Sequence, residues 1–247
     1  MAERQGTVTA TGIARMAGVG RAAVSNWRRR YSDFPQPVGG TASSPTFDAA
    51  MVEHWLRRYD KLPEASAEER AWRAIESFGS VAAISDALCI VGAVLLTGNP
   101  VSGVAQVPSP AHLLEGLHRR DAQLGSAITA LLPPQWSSAQ QALVEAAAEL
   151  TARCDPDEAF EYLYHQFVGL RPPSAPDTLP DELTELLLDL VEPATDLLDI
   201  ACGTGSLLRS AAKRAMVAGG SATCLGQDLN QTYATIALLR LRLLETG

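Results

Sequence analysis

Two acidic residues bracket a glycine turn late in this 247-residue chain, at the spacing of a ligand site. Leu197-Leu198-Asp199-Ile200-Ala201-Cys202-Gly203-Thr204-Gly205-Ser206 runs from an apolar stretch through glycines into a helix expected over 207–216. Cys224-Leu225-Gly226-Gln227-Asp228 is a second short apolar stretch that ends on an acid. Strand, glycine turn, helix, strand and acid make half of a nucleotide-binding βαβ unit. The glycines admit a ligand that a Cβ would push away, and the second acid is placed to accept hydrogen bonds from both ribose hydroxyls. The turn lacks the third glycine of the dinucleotide fingerprint, so it also fits a reading in which Gly203 and Gly205 only close a strand onto a helix.

A second stretch carries a different chemistry. Arg21-Ala22-Ala23-Val24-Ser25-Asn26-Trp27-Arg28-Arg29-Arg30 follows the short helical pattern Ile13-Ala14-Arg15-Met16-Ala17 across a glycine turn at Gly18 and Gly20. At about 100° per residue, Ala23, Val24 and Trp27 fall on one side of the second helix, and Arg21, Ser25, Arg28 and Arg29 on the other. The apolar side packs on the first helix, so Trp27 is expected in the core. The other side, with Asn26 and Arg30, offers donors to phosphates and to guanine edges in a major groove. Phe34-Pro35-Gln36-Pro37-Val38 and Pro45-Thr46-Phe47 flank a Gly/Ser-rich loop as two short strands, and Asp48 is placed to cap a helix through Trp55-Leu56. This order resembles the excisionase and MerR-like winged helix-turn-helix modules, which implies double-stranded DNA as partner. The alternative is that Arg28-Arg29-Arg30 is a solvated helix end favoured by the helix dipole.

The glycine stretch has a resemblance of its own. Asp199-x-Ala-Cys-Gly-x-Gly resembles the first motif of S-adenosylmethionine-dependent methyltransferases, and Ala201-Cys202 that of enzymes methylating the exocyclic amino group of adenine in DNA. Gly226-Gln227-Asp228-Leu229-Asn230, running into an apolar helix over 232–239, is similar to the Gly-Gln-Glu-Ile-Asn segment of type I restriction-modification methylase subunits. The likeness covers about residues 160–247, and more loosely from about 70. The family usually has Pro at Ile200, Ser at Thr204 and Glu at Asp228. The resemblance implies S-adenosylmethionine as cofactor, bound through Asp199, Ala201, Cys202, Gly203, Thr204, Gly205, Asp228 and Leu229. Gly203 and Gly205 then pass the methionine portion, Asp199 bonds polar cofactor groups, and Asp228 holds the ribose. It also implies a specificity subunit or a further methyltransferase half as partner. A Thr-Pro pair that lies near the cofactor in the family is interrupted here, where Leu179 separates Thr178 from Pro180.

Adenine methylation needs a flipped base, its amino nitrogen held and its ring stacked, so that nitrogen meets the methyl in line. The family does this with Asn/Asp-Pro-Pro-Tyr/Phe, which is absent here; Leu132-Pro133-Pro134-Gln135 and Arg171-Pro172-Pro173-Ser174 lack both flanking residues. No catalytic residue is therefore assigned. The expectation is a chain that forms the front of a longer methyltransferase and is inactive alone, with Leu238, Leu239, Leu241, Leu243 and Leu244 awaiting a larger sheet. Two alternatives stay open: a DNA-binding regulator keeping a vestigial or sensing cofactor half-domain, and a small-molecule methyltransferase, with which Ile200 agrees.

Behind these sites stand elements that must position them. The expected fold is mainly α with a partial α/β part: a winged helix-turn-helix over 1–62, a helical bundle over 63–170, and the first βαβ portion of a Rossmann-like methyltransferase core over 171–247. Trp72, Ile75 and Phe78, then Ile84, Leu88, Val91 and Leu95, then Leu143, Ala147 and Leu150 keep helical spacing, broken at Gly98-Asn99-Pro100 and at Leu132-Pro133-Pro134. The aromatics Tyr162, Tyr164 and Phe167 read as helix packing. A proline-rich stretch over 171–180 hands over to an amphipathic helix over 182–191.

Composition sets the outer bounds. The formal charge is −8, but residues 1–62 carry nine Lys/Arg and five acids, about +4, which leaves about −12 elsewhere. Positive charge gathers where DNA would dock. Cys89, Cys154, Cys202 and Cys224 have neither paired spacing nor nearby histidines, so they are expected reduced, in a cytoplasmic protein without a metal site. His54, His112, His118 and His165 are scattered, and none is assigned chemistry. The longest apolar run, over 87–97, is 11 residues, too short for a bilayer and right for a buried helix.

Overall fold

The computed structural model describes residues 7–41, 44–61, 65–98, 107–171, 179–190 and 196–245, and the chain divides into two compact units, Met1–Ala65 and Ser66–Gly247. Asn99, Pro100, the stretch 172–178 with Thr178, and Val191 lie outside the described residues.

The first unit is β1 (Thr7–Thr9), α1 (Ala10–Met16), α2 (Arg21–Arg30), β2 (Pro37–Thr41), β3 (Ser44–Asp48) and α3 (Ala49–Arg58). Each turn has a local cause. The Thr9 hydroxyl accepts from the Gly12 amide to start α1, and Gly18 takes φ 61° to end it. The Asp48 carboxylate accepts from the Met51 amide at 2.9 Å and starts α3, as the sequence predicts. The strands form an antiparallel sheet in the order β1-β3-β2, with β3 central. Only β1 has no counterpart in the sequence reading. Ile13, Val24, Phe34, Phe47, Val52, Trp55 and Leu56 make the core, and Trp27 packs at its edge, 5.9 Å from the Trp55 ring.

The second unit is built around one helix. In order it holds α4 (Ala67–Glu76), α5 (Val81–Thr97), α6 (Pro110–Arg120), α7 (Ala122–Thr129), α8 (Ser138–Arg153), α9 (Pro156–Gly169), α10 (Asp181–Leu190), β4 (Asp196–Asp199), α11 (Ser206–Val217), β5 (Thr223–Gly226) and α12 (Gln231–Leu244). Every residue of α5 from 87 to 96 is buried, because a helix apolar on all sides must be covered on all sides. The helices α4, α6, α7, α8, α9 and α12 cover it. The sequence reading did not resolve α6 and α7 as separate helices.

The last helix answers one expectation differently. Ile236, Leu239 and Leu243 belong to the same core as α5, and Leu244 is buried, so much of the leucine-rich face expected to await a sheet is already packed on helices. Gly92 of α5 makes this possible: a Cβ there would come within 2.6 Å of the Phe160 ring and 2.9 Å of Leu239. Helix α12 of the expected α/β portion thus packs into the bundle core, while Cys202, Leu208 and Ala237 form a small cluster of their own with the strands. β4 and β5 pair in parallel, Leu197 beside Cys224 and Leu198 beside Leu225. Leu197 and Cys224 pack with Leu208 of α11, while Leu198 and Leu225 stay 65% and 60% exposed. Among the described residues the fold is therefore mainly helical with small sheets and a partial α/β part, and no helix is long and apolar enough to cross a membrane.

Candidate functional site

The glycine turn and the second acid meet at the carboxyl ends of β4 and β5. Gly203 adopts φ 51° and Gly205 φ 82°, both left-handed, and the loop between β4 and α11 is pinned from β5 by backbone bonds. The Cys202 amide donates to Gln227 O at 2.9 Å, and the Gln227 amide to Asp199 O at 3.0 Å. Asp228 completes the tie: one carboxylate oxygen accepts from the Gly203 amide at 2.9 Å, the other from the Asn230 amide at 2.8 Å. Each oxygen keeps a further acceptor direction. Asp199 accepts from the Ala201 amide at 3.1 Å in the same way.

These groups surround a cleft of about 610 Å³. Asp199, Ala201, Cys202, Gly203, Thr204, Asp228 and Leu229 line it, and Leu229 is fully exposed at its side. Gly205 does not. A Cβ at Gly205 would lie 2.7 Å from the Ala237 Cβ, so this glycine serves the close approach of α11 to α12. Leu179, Leu187, Ser206, Leu207, Asn230 and Tyr233 also line the cleft, and the sequence reading did not include them. No Lys or Arg is among the described lining residues. Burial first, and then the carboxylates of Asp199 and Asp228, push the Cys202 thiol up to about 11, so it is a neutral thiol at pH 7 and no nucleophile.

Behind the loop is a buried ionic cluster. Arg240 of α12 grips Glu161 of α9 with two bonds of 2.7 and 2.9 Å, and donates to the Thr204 carbonyl at 2.9 Å. Arg209 of α11 donates to Asp157 at 2.7 Å and to the Arg240 carbonyl at 2.8 Å, and lies 3.3 Å from Glu161. The Tyr164 hydroxyl shares a hydrogen bond with the Thr204 hydroxyl at 2.7 Å, while its ring lies 3.8 Å beneath the Arg240 guanidinium. Burial works against the charge on Glu161, but the hydrogen bonds and charge of Arg240, then the charge of Arg209, hold its carboxyl below the usual range. Both arginine side chains are 5% exposed. The sequence held one signal for this: Arg240 interrupts Ile236-Ala237-Leu238-Leu239 and Leu241, and a charge in such a stretch has to be paired.

A larger cavity of about 910 Å³ opens on the far side of this cluster, between α9, α10 and α11. Its acids are already paired, Glu161 with Arg240 and Glu185 with Arg214, and of the sequence-predicted ligand residues it holds none. The sequence-predicted residues gather instead at the smaller cleft.

In the first unit, Arg21, Ser25, Asn26, Arg28, Arg29 and Arg30 are all exposed, Val24 and Trp27 pack in the core or at its edge, and Ala23 is half-buried. The Ser25 hydroxyl donates to Arg21 O at 3.3 Å, and the Arg28 guanidinium lies 5.3 Å from the Phe47 ring centroid. Among the described residues these four arginines make no salt bridge, in contrast to Arg57 and Arg58 of α3, which pair with Glu53 and Asp33. The adjoining strand β2 is exposed along its whole length. Compared with family models, with curated proteins and with solved structures, the chain gives no match.

Proposed function

We propose that this chain is the DNA-docking and S-adenosylmethionine-binding portion of an adenine-specific DNA methyltransferase of a restriction-modification or related defence system. The observation that carries the reading is the charge of the cleft: Asp199 and Asp228 face it, and no described Lys or Arg lines it. A nucleoside phosphate would find only the open amides at the uncapped start of α11, set against two carboxylates and with no described cation beside them. A sulfonium nucleoside needs acceptors for its ribose hydroxyls and tolerates nearby carboxylates. Asp228, fixed at the end of β5 by two amides, is suited to the ribose, and Leu229 beside it offers an apolar face to a base. When bound, S-adenosylmethionine supplies an electrophilic methyl group; this chain's residues bind and orient it.

The reading of the first unit as a winged helix-turn-helix on double-stranded DNA is supported by the exposed arginines of α2, which make no salt bridge among the described residues, and by the exposed hairpin strand β2. Isothermal calorimetry with S-adenosylmethionine, ATP and NAD tests the cleft: the first should bind, and Asp228→Ala should abolish that binding. Preference for ATP or NAD would overturn the assignment.

One observation favours a second reading, a DNA-binding regulator with a sensing half-domain. The apolar face of α12 is already spent on α5 and α9. Transfer of labelled methyl to adenine-containing duplex by a form of the protein that includes an Asn/Asp-Pro-Pro-aromatic motif separates the two. Failure of that form to methylate, with cofactor still bound, favours the regulator.

A further inference from the structure

We propose that Tyr164 is a positioning residue for the glycine loop, so that the helical layer, through α9, sets the loop's shape for its ligand; this rests on the reading of the cleft as a cofactor site. Thr204 is held by two other helices, at its carbonyl from α12 and at its hydroxyl from α9. Its carbonyl accepts from Arg240, its hydroxyl bonds that of Tyr164, and it is 2% exposed while still reaching the cleft wall. Its neighbours on either side are the two left-handed glycines, which by themselves have the widest choice of backbone conformation of any residue. A glycine loop without an anchor samples many shapes and binds weakly, because the ordering cost falls at the moment of binding. Tyr164, with Arg240 on the Thr204 carbonyl and Asp228 on the Gly203 amide, meets part of that cost in advance.

The anchor is itself held. The Tyr164 ring lies under the Arg240 guanidinium, and Arg240 is fixed by two bonds to Glu161, one turn before Tyr164 on α9. The hydroxyl has a second neighbour, Ser206 Oγ at 3.4 Å, at the first residue of α11. Tyr164 therefore touches both ends of the turn from Thr204 to Ser206. Glu161 is a full helical turn away and bears on Arg240, so its loss would disturb the cluster as a whole; the tyrosine hydroxyl is the selective point of attack.

The test is Tyr164→Phe, which keeps the ring beneath Arg240 and removes only the hydroxyl. S-Adenosylmethionine affinity by calorimetry should fall about five- to tenfold, the worth of one buried hydrogen bond. Amide hydrogen exchange at 203–206, measured without cofactor, should speed up by a similar factor. Val144→Ala, in the buried face of α8, is the control: it should lower the melting temperature and leave both readouts alone. Thr204→Val should match Tyr164→Phe, and the double variant should be no worse than either single one. Unchanged exchange and affinity in Tyr164→Phe overturn the positioning role while wild-type binding keeps the cofactor reading. Faster exchange in a protein whose wild type binds no S-adenosylmethionine removes the cofactor reading and leaves the loop anchor standing.

Discussion

The arginines of α2 and those of α11 and α12 use one side chain in opposite ways. Arg21, Arg29 and Arg30 stand in solvent with no carboxylate within reach among the described residues, whereas Arg209 and Arg240 are 5% exposed and each meets a carboxylate of α9. A guanidinium left in water costs the fold nothing and is available to a polyanion. Buried, it must be paired, and then it fixes geometry rather than recruiting a partner. Composition alone does not tell these uses apart. The first kind is open to a partner, and the second acts within the fold.

The largest test of that contrast is Glu161→Ala, which leaves two buried guanidinium groups short of their shared partner. The second unit should lose about 3–5 kcal/mol, read by denaturant unfolding, while DNA binding by the first unit is unchanged. Stability unaltered by the substitution would mean that the cluster holds nothing.

Acid should reproduce the same loss by titration. The Glu161 carboxyl is lower in the folded chain than its ordinary value of 4.5, so its contribution is complete above that value and disappears as the pH falls through the folded one. The melting temperature of the second unit should therefore decrease below about pH 4.5, and Glu161→Gln should flatten that part of the profile. A profile identical in the variant would assign the acid sensitivity elsewhere.

On the other side of the contrast, Arg29→Ala with Arg30→Ala should weaken duplex binding about tenfold or more at low salt. The log-log salt slope should move from near −4 by about 2 units, with stability within about 0.5 kcal/mol of the parent. Binding insensitive to salt in the parent would argue against phosphate contacts altogether. The smallest effect is expected at Arg28, which belongs to both classes: exposed, yet resting on Phe47. Arg28→Ala should cost the first unit about 0.5–1 kcal/mol as well as DNA affinity; a melting temperature equal to that of the parent would place Arg28 wholly with its neighbours.

Much of the framework was legible in the chain because its signals are local. The apolar stretch around Leu88 and Val91 predicts a buried helix and α5 is one; Asp48 predicts a cap and is one; the division of α2 into Val24 and Trp27 against its arginines follows from helical period alone. Seven of the eight residues assigned to the cleft line it, since glycines and acids at strand ends declare themselves within a few positions. What escaped was long-range. Glu161 and Arg240 are 79 residues apart, and Tyr164 and Thr204 are 40 apart, so nothing in either neighbourhood announces the other. The packing role of Gly205 escaped for the same reason: its missing Cβ makes room for Ala237 of α12, 32 residues on. The fate of the leucines in α12 likewise depends on Gly92, a residue far from them in sequence.

The seat that Gly92 provides for α12 also orders events in time. The bond from Thr232 to Asp86 spans 146 residues, and α5 remains bare along one side until a helix from the far end of the unit arrives. During synthesis, that side of α5 must wait uncovered while some 140 further residues are added, about ten seconds or more at ordinary elongation rates. The contacts of α12 with α5 and with the glycine loop are non-local and are expected to form late. A chaperone that shields α5 during that interval should raise the yield of the second unit far more than that of the first, whose contacts are complete within its own short stretch.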